Sequence, residues 1–329
     1  MWRLIMSALM NLRLMCSDSQ NLRQLKGVIV TDSQTYQQKE RFCIVNHWAE
    51  KGVSGKRSLL PIEKSFQERI SKVAEPLFVP LPLRDNGCPK FNREMSYLID
   101  AFDDFPRRVD QSFDSLWKAL ESTLSTVDNS SQITQRLKKV ADTGYIDARI
   151  IDRICKEFPL QSCEYLYKRI ASSQHDNRAL RRVKDLNEVN KLIEYTKCKY
   201  NTEDDKDRRD AAILFRKLLS REERIQVADD VGFRFSDKVL ARILISGFLY
   251  TARNDRFHGN SFSPFVSSYA TIRTYTHPYF AFLATYYLLI GMWQRQHPEV
   301  ISLDDETLFS SFNRNARVAR QLFGRHWNN

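Results

Sequence analysis

From Tyr279 to Trp293 the chain carries no charged side chain, only the run YFAFLATYYLLIGMW. Such a run must be withdrawn from water. It is about a turn short of the roughly 18 residues needed to cross a bilayer, so it predicts a core helix of a folded domain and not a membrane span. The remainder agrees with helix: among 329 residues there are only 10 glycines and 10 prolines, too few for the turn density of an all-β sandwich. Hydrophobic residues at 42% and charged residues at 28% give an ordinary globular balance. The length exceeds the ~250–300 residues at which single cores stop growing, so two domains are expected.

Residues 1–92 read as a small mixed α/β region. The β-branched runs Gly27–Thr31 and Phe42–Val45 suggest short strands. The segment Pro76–Pro89, with Pro80, Pro82 and Gly87, suggests an extended linker or a strap lying on the next domain, with the boundary near Phe91. Residues 93–329 read as helical, making the protein mainly α. A first helix is expected from Glu94 to a break at Pro106. A second places Phe113, Leu116, Trp117, Leu120 and Leu124 on one face. Shorter helices over about 130–232 have the character of an inserted array. A strongly apolar helix then runs from Ser236-Asp237 to a stop at His258-Gly259. Two more follow, about Tyr279–Gln296 and Asp304–Phe323, and His277-Pro278 and His297-Pro298 read as helix boundaries.

A net charge of +11 favours a polyanionic partner, because Lys and Arg that neutralise phosphates release condensed counterions. The cysteines form no CxxC pair and stand at no zinc-ligand spacing, so reduced thiols and no metal or cofactor are expected. The apolar segment Met1–Cys16 is broken by Arg3 and Arg13 and lacks a signal-peptide cleavage pattern, which predicts a cytoplasmic protein with no membrane partner. The acidic run Glu203–Asp205 suits a helix N-terminus capped by Thr202 better than a metal site. Gly52–Ser58 fails as a phosphate loop: its first glycine is too close, and Arg57 follows the lysine where Ser or Thr is required.

The residues that carry chemistry are Arg253-Asn254-Asp255-Arg256-Phe257-His258-Gly259. Arg, a polar neighbour, three residues and His close an amphipathic helix. Arg169 to His175 and Arg320 to His326 meet only the loosest form of this spacing: Ile170 replaces the polar neighbour in the first and Gln321 occupies it in the second, and only Arg253 to His258 combines the asparagine, the helix and the glycine stop. On a helix, positions 254 and 258 share a face, and Arg253 lies on its flank. An imidazole exchanges a proton near neutral pH. A guanidinium fork matches phosphate oxygens.

This motif resembles the signature of the HEPN superfamily, and Phe113–Glu121 and the aromatic helix from Tyr279 are similar to helices that flank it there. The resemblance covers about 107–126 and 236–323. It implies a small helical bundle, usually dimeric, that acts as a metal-independent endoribonuclease. Attack by a ribose 2′-hydroxyl leaves a 2′,3′-cyclic phosphate and a 5′-hydroxyl, and two copies of the motif form one composite site. Arg253, Asn254 and His258 would be catalytic. RNA is the implied partner, with a homodimer or a larger complex as the assembly. Prokaryotic antiviral defence, toxin–antitoxin or CRISPR-associated systems are the implied setting. Arg256 and Asn260 beside the motif, and the basic cluster of Arg178, Arg181 and Arg182, are candidate RNA contacts. The alternative is a non-catalytic helical RNA- or protein-binding module. In it Arg253 pairs with Asp255 or Asp237, and His258 caps backbone carbonyls.

Overall fold

A computed structural model describes residues 43–48, 50, 57 and 59–328, except 85, 129, 131, 172–177, 202–203, 222–223, 260–269 and 302–303. The chain divides into two compact units, Met1–Ser58 and Leu59–Asn329. In the first, residues 43–48 are helical, which corrects the strand reading of Phe42–Val45; a short apolar run has no period with which to tell helix from strand. Gly27–Thr31 lies outside the described residues.

The division also falls earlier than the boundary expected near Phe91. Residues 59–92 belong to the second unit because they bury apolar side chains there: Phe66, Leu81 and Phe91 join its core. Helix α1 (Pro61–Ile70) is followed by the proline-rich strap. The Leu81 N–H donates to Tyr286 Oη at 2.7 Å, Tyr279 Oη donates to the Leu77 carbonyl at 2.9 Å, and Asn315 bonds both the N–H and the C=O of Val79 at 3.0 and 2.9 Å. Side chains thus satisfy a backbone that has no sheet partner.

Helices α2 (Pro89–Asp104) and α3 (Val109–Leu124) flank the expected break at Pro106. All five predicted apolar residues of α3 are buried. Shorter helices follow, as expected of the array: α4 (Ile133–Asp142), α5 (Ala148–Lys156), α6 (Leu160–Ala171), α7 (Arg178–Val183), α8 (Asn187–Lys199) and α9 (Asp205–Ser220). Asp204 is the N-cap of α9, its carboxylate accepting from the N–H groups of Lys206 and Asp207 at 2.9 Å. An antiparallel hairpin of β1 (Ile225–Val227) and β2 (Asp230–Phe233) follows; its strands are too short for sequence alternation to declare them.

The motif helix is continuous in three parts: α10 (Asp237–Arg242), a π-helical segment (Ile243–Leu249) and α11 (Tyr250–Phe257). Next comes α12 (Ile272–Gln296), then α13 (Asp305–Phe323), capped by Asp304 and stopped at Gly324, and a final turn α14 (Arg325–Asn328). Helix α12 starts ahead of the expected Tyr279, so His277 and Pro278 lie within it and do not bound it. A proline is tolerated there because α12 is buried among α3, α5, α6, α13 and α14, and this packing outweighs the lost hydrogen bond. From Tyr275 to Trp293 it is covered on nearly every side, as a helix apolar all round must be. No helix among the described residues is long and apolar enough to cross a membrane.

Candidate functional site

The π segment directly precedes α11, which carries the motif, and all seven of its residues are buried. A π turn holds more residues than an α turn, which shifts the phase of everything after it. Arg253–His258 therefore face a direction that an unbroken α-helix from Asp237 would not have given them. Gly247 lets neighbours close on the segment: a Cβ there would stand 3.6 Å from Val183 of α7 and 3.8 Å from Leu166 of α6.

Helix α3 supplies the wall behind Arg253. Trp117 stacks on Tyr250 with centroids 5.9 Å apart, and its Nε1 donates to Glu121 Oε2 at 2.9 Å. The same oxygen faces Arg253 Nη2 at 3.4 Å. Arg253 Nη1 donates to Asn254 Oδ1 at 3.0 Å, and the guanidinium lies over the Phe257 ring, 4.4 Å from its centre. Arg253 Nε is buried without a hydrogen-bond partner. Arg253 is thus held from three directions with most of its side chain covered, whereas Phe257 and His258 are exposed.

The helix ends where the chemistry of its last turn dictates. The His258 N–H donates to the Asn254 carbonyl at 2.9 Å, and Gly259 takes φ +69° with its N–H on the Arg256 carbonyl at 3.2 Å. That left-handed turn is cheap for glycine. It leaves the His258 side chain at the helix end.

The intervening charges are spent on packing. Asp255 accepts from Tyr165 Oη at 2.6 Å and from Arg169, both on α6. Arg256 Nε donates to Asp114 Oδ1 at 2.7 Å, and Nη2 meets the fully buried Asp110 at 3.3 Å, fastening α11 to α3. Burial works against the charge on Arg256, yet these two carboxylates hold its pKa above the ordinary arginine value. The expected RNA contact at Arg256 is therefore a helix-to-helix tie. The partners expected for Arg253 are corrected as well: Asp255 serves Arg169, Asp237 serves Arg221 at 2.7 Å, and Glu121 is the carboxylate that Arg253 meets.

The basic cluster on α7 comes to the same neighbourhood. Arg182 lies over the Tyr250 ring at 4.5 Å and donates to Thr251 Oγ1 at 2.7 Å. Burial is the main cause that lowers its pKa from the ordinary arginine value. It reads as packing, while Arg178 and Arg181 are exposed on the same short helix. Asn260 lies outside the described residues.

Three contributors escaped sequence reasoning: Glu121, Trp117 and Phe257. Glu121 and Trp117 stand four apart on α3 and so share a face, but no local signal tells that Glu121 meets Arg253, 132 positions away, or that Trp117 stacks on Tyr250. His277 of α12 is a fourth feature. It is half-buried between the rings of Tyr165 and Phe248, at 4.5 and 5.2 Å, with Ser162 Oγ 3.3 Å from its Nδ1. Burial first, then the charges of Arg169 and Arg256 against that of Asp255, push its pKa down to about 4. Among the described residues no group of three or more His, Cys, Asp and Glu is placed to hold a metal ion. No family model, curated protein or solved structure matches the chain.

Proposed function

We propose that the chain is a HEPN-type, metal-independent endoribonuclease whose catalytic residues are Arg253, Asn254 and His258. The observation that carries this reading is the exposed helix end at which Asn254 and the α3 carboxylate orient Arg253 one turn before His258. His258 takes the proton from a ribose 2′-hydroxyl, whose oxygen attacks phosphorus as the P–O5′ bond breaks. The products are a 2′,3′-cyclic phosphate and, after protonation, a 5′-hydroxyl. Arg253 neutralises the charge that builds on the non-bridging oxygens, where a preoriented donor is worth most. One imidazole does not reach both the attacking and the departing oxygen of an in-line displacement, so a second copy of the chain supplies the other proton-transfer group. The surplus positive charge and the exposed Arg178 and Arg181 beside the motif helix draw in the RNA backbone. The proposed setting is the cytoplasm of a prokaryote, in antiviral defence, a toxin–antitoxin pair or a CRISPR-associated complex.

A second reading is favoured by the Arg253–Glu121 contact itself: a non-catalytic helical module that binds RNA or protein and uses Arg253 to join α11 to α3. One experiment separates them. End-labelled RNA is incubated with the protein in excess EDTA, and product termini are mapped. Cleavage to cyclic-phosphate ends is expected, falling about 10²–10⁴-fold in Arg253→Ala and His258→Ala. Equal cleavage by both variants, or none by the wild type, overturns the ribonuclease reading.

A further inference from the structure

We infer that Phe257 is a base-stacking residue that seats an unpaired nucleobase beside the scissile phosphate, and so directs the site to single-stranded RNA. The inference deepens the ribonuclease reading and rests on it. Phe257 is 47% exposed, and of the large hydrophobic residues exposed among the described residues, Val45, Val79, Ile99, Val231 and Phe257, it is the aromatic one. Its flat face lies in the last turn of the motif helix, next to His258. The ring packs with one face only, on the Arg253 guanidinium, and leaves the rest of its surface to solvent.

Its surroundings point to a base. The Arg253 guanidinium, 4.4 Å from the ring centre, backs one face. No other ring or cation among the described residues packs on it. A base stacked on the outer face meets a preoriented surface, and the nucleotide's own phosphate then falls toward Arg253 and His258. Stacking of this kind tolerates any base but requires that it be unpaired. A protein partner fits less well. Specific protein interfaces bury about 1,600 Å² around an apolar centre, whereas positions 253–256 and 258 around this single ring are all polar or charged.

The test measures binding of fluorescein-labelled oligouridylate and oligoadenylate by anisotropy in a His258→Ala background, where no cleavage intervenes. Adding Phe257→Ala is expected to weaken binding about 5- to 150-fold, the span of one lost stacking contact. Phe257→Trp should restore it, and affinity for a duplex of the same length should not change. In the active chain Phe257→Ala should raise KM for single-stranded RNA more than it lowers kcat. Unchanged affinity in Phe257→Ala overturns the proposal, as does equal loss on duplex. A fall in mass by light scattering on Phe257→Ala also overturns it, in favour of a contact between copies. If Phe257→Ala is silent while Arg253→Ala abolishes cleavage, stacking falls and the ribonuclease stands. If the wild type cuts no RNA yet binding depends on Phe257, the stacking contact stands in a binding module and catalysis falls.

Discussion

Individual residues around the motif divide into those that meet solvent and those that hold them. Asp255 and Arg256 lie inside the signature and look from the sequence like surface charges, but each is engaged by an opposite charge on another helix. His277 shows what that charge-filled neighbourhood does to an ionisable ring. Arg169, Arg256 and Asp255 bear on it electrostatically, Tyr165 and Phe248 enclose it, and its pKa is pushed down to about 4. In the unfolded chain the same ring takes a proton near ~6.5. Above that value it is neutral in both states and costs nothing. As pH falls from about 6.5 to about 4 the unfolded state binds a proton that the native state refuses, so stability drains through this window by at most about 3 kcal/mol. Urea unfolding at pH 7.0 and 4.5 should show that loss, and His277→Asn should show less of it. An identical pH dependence in the variant would place the acid sensitivity elsewhere.

Among elements, the helix of three parts does most to place the site. Its π segment is buried throughout and is held at its start by Arg242, only 2% exposed, which reaches Asp142 of α4 at 3.1 Å, Asp185 beyond α7 at 2.8 Å and the Arg182 carbonyl. A buried cation with partners on two other elements sets the rotation of its helix, and with it the direction of the motif. Removing the partners is worse than removing the cation, because a charge left buried alone pays its full desolvation. The double variant Asp142→Asn, Asp185→Asn should lose about 3 kcal/mol in denaturant unfolding, more than Arg242→Met, which leaves one carbonyl unpaired. The reverse order would mean that Arg242 is solvated through gaps in its packing. The apolar stripe of α3 and the stop at Gly259 were readable from spacing and residue type. The π segment was not, since a string such as Ile243–Leu249 is equally apolar in an α-helix.

For the molecule as a whole, the boundary between units makes a direct prediction. The strap of residues 76–84 closes the second unit through Tyr279, Tyr286 and Asn315 and carries Leu81 into the core. A chain beginning at Leu59 should therefore fold with the helical circular dichroism and cooperative melting expected of the second unit. A chain beginning at Arg93 should not, because it loses Phe66, Leu81 and Phe91 together and exposes α12. Equal melting of the two would show the strap to be dispensable. The sequence marked this segment as extended through its prolines, but composition does not tell whether an extended segment joins two domains or lies on one.

The chain's own pattern determined the mainly helical class, the burial of the Tyr279–Trp293 run and the helix that ends at His258-Gly259, because each depends on periodicity or on residues within a turn of one another. Tertiary structure alone decided that Glu121 and Trp117 stand behind Arg253, that Arg256 is tied to Asp110 and Asp114, and that Phe257 is left in the open. These are contacts across more than a hundred positions, set by how helices dock, and no local propensity encodes which carboxylate will meet which guanidinium.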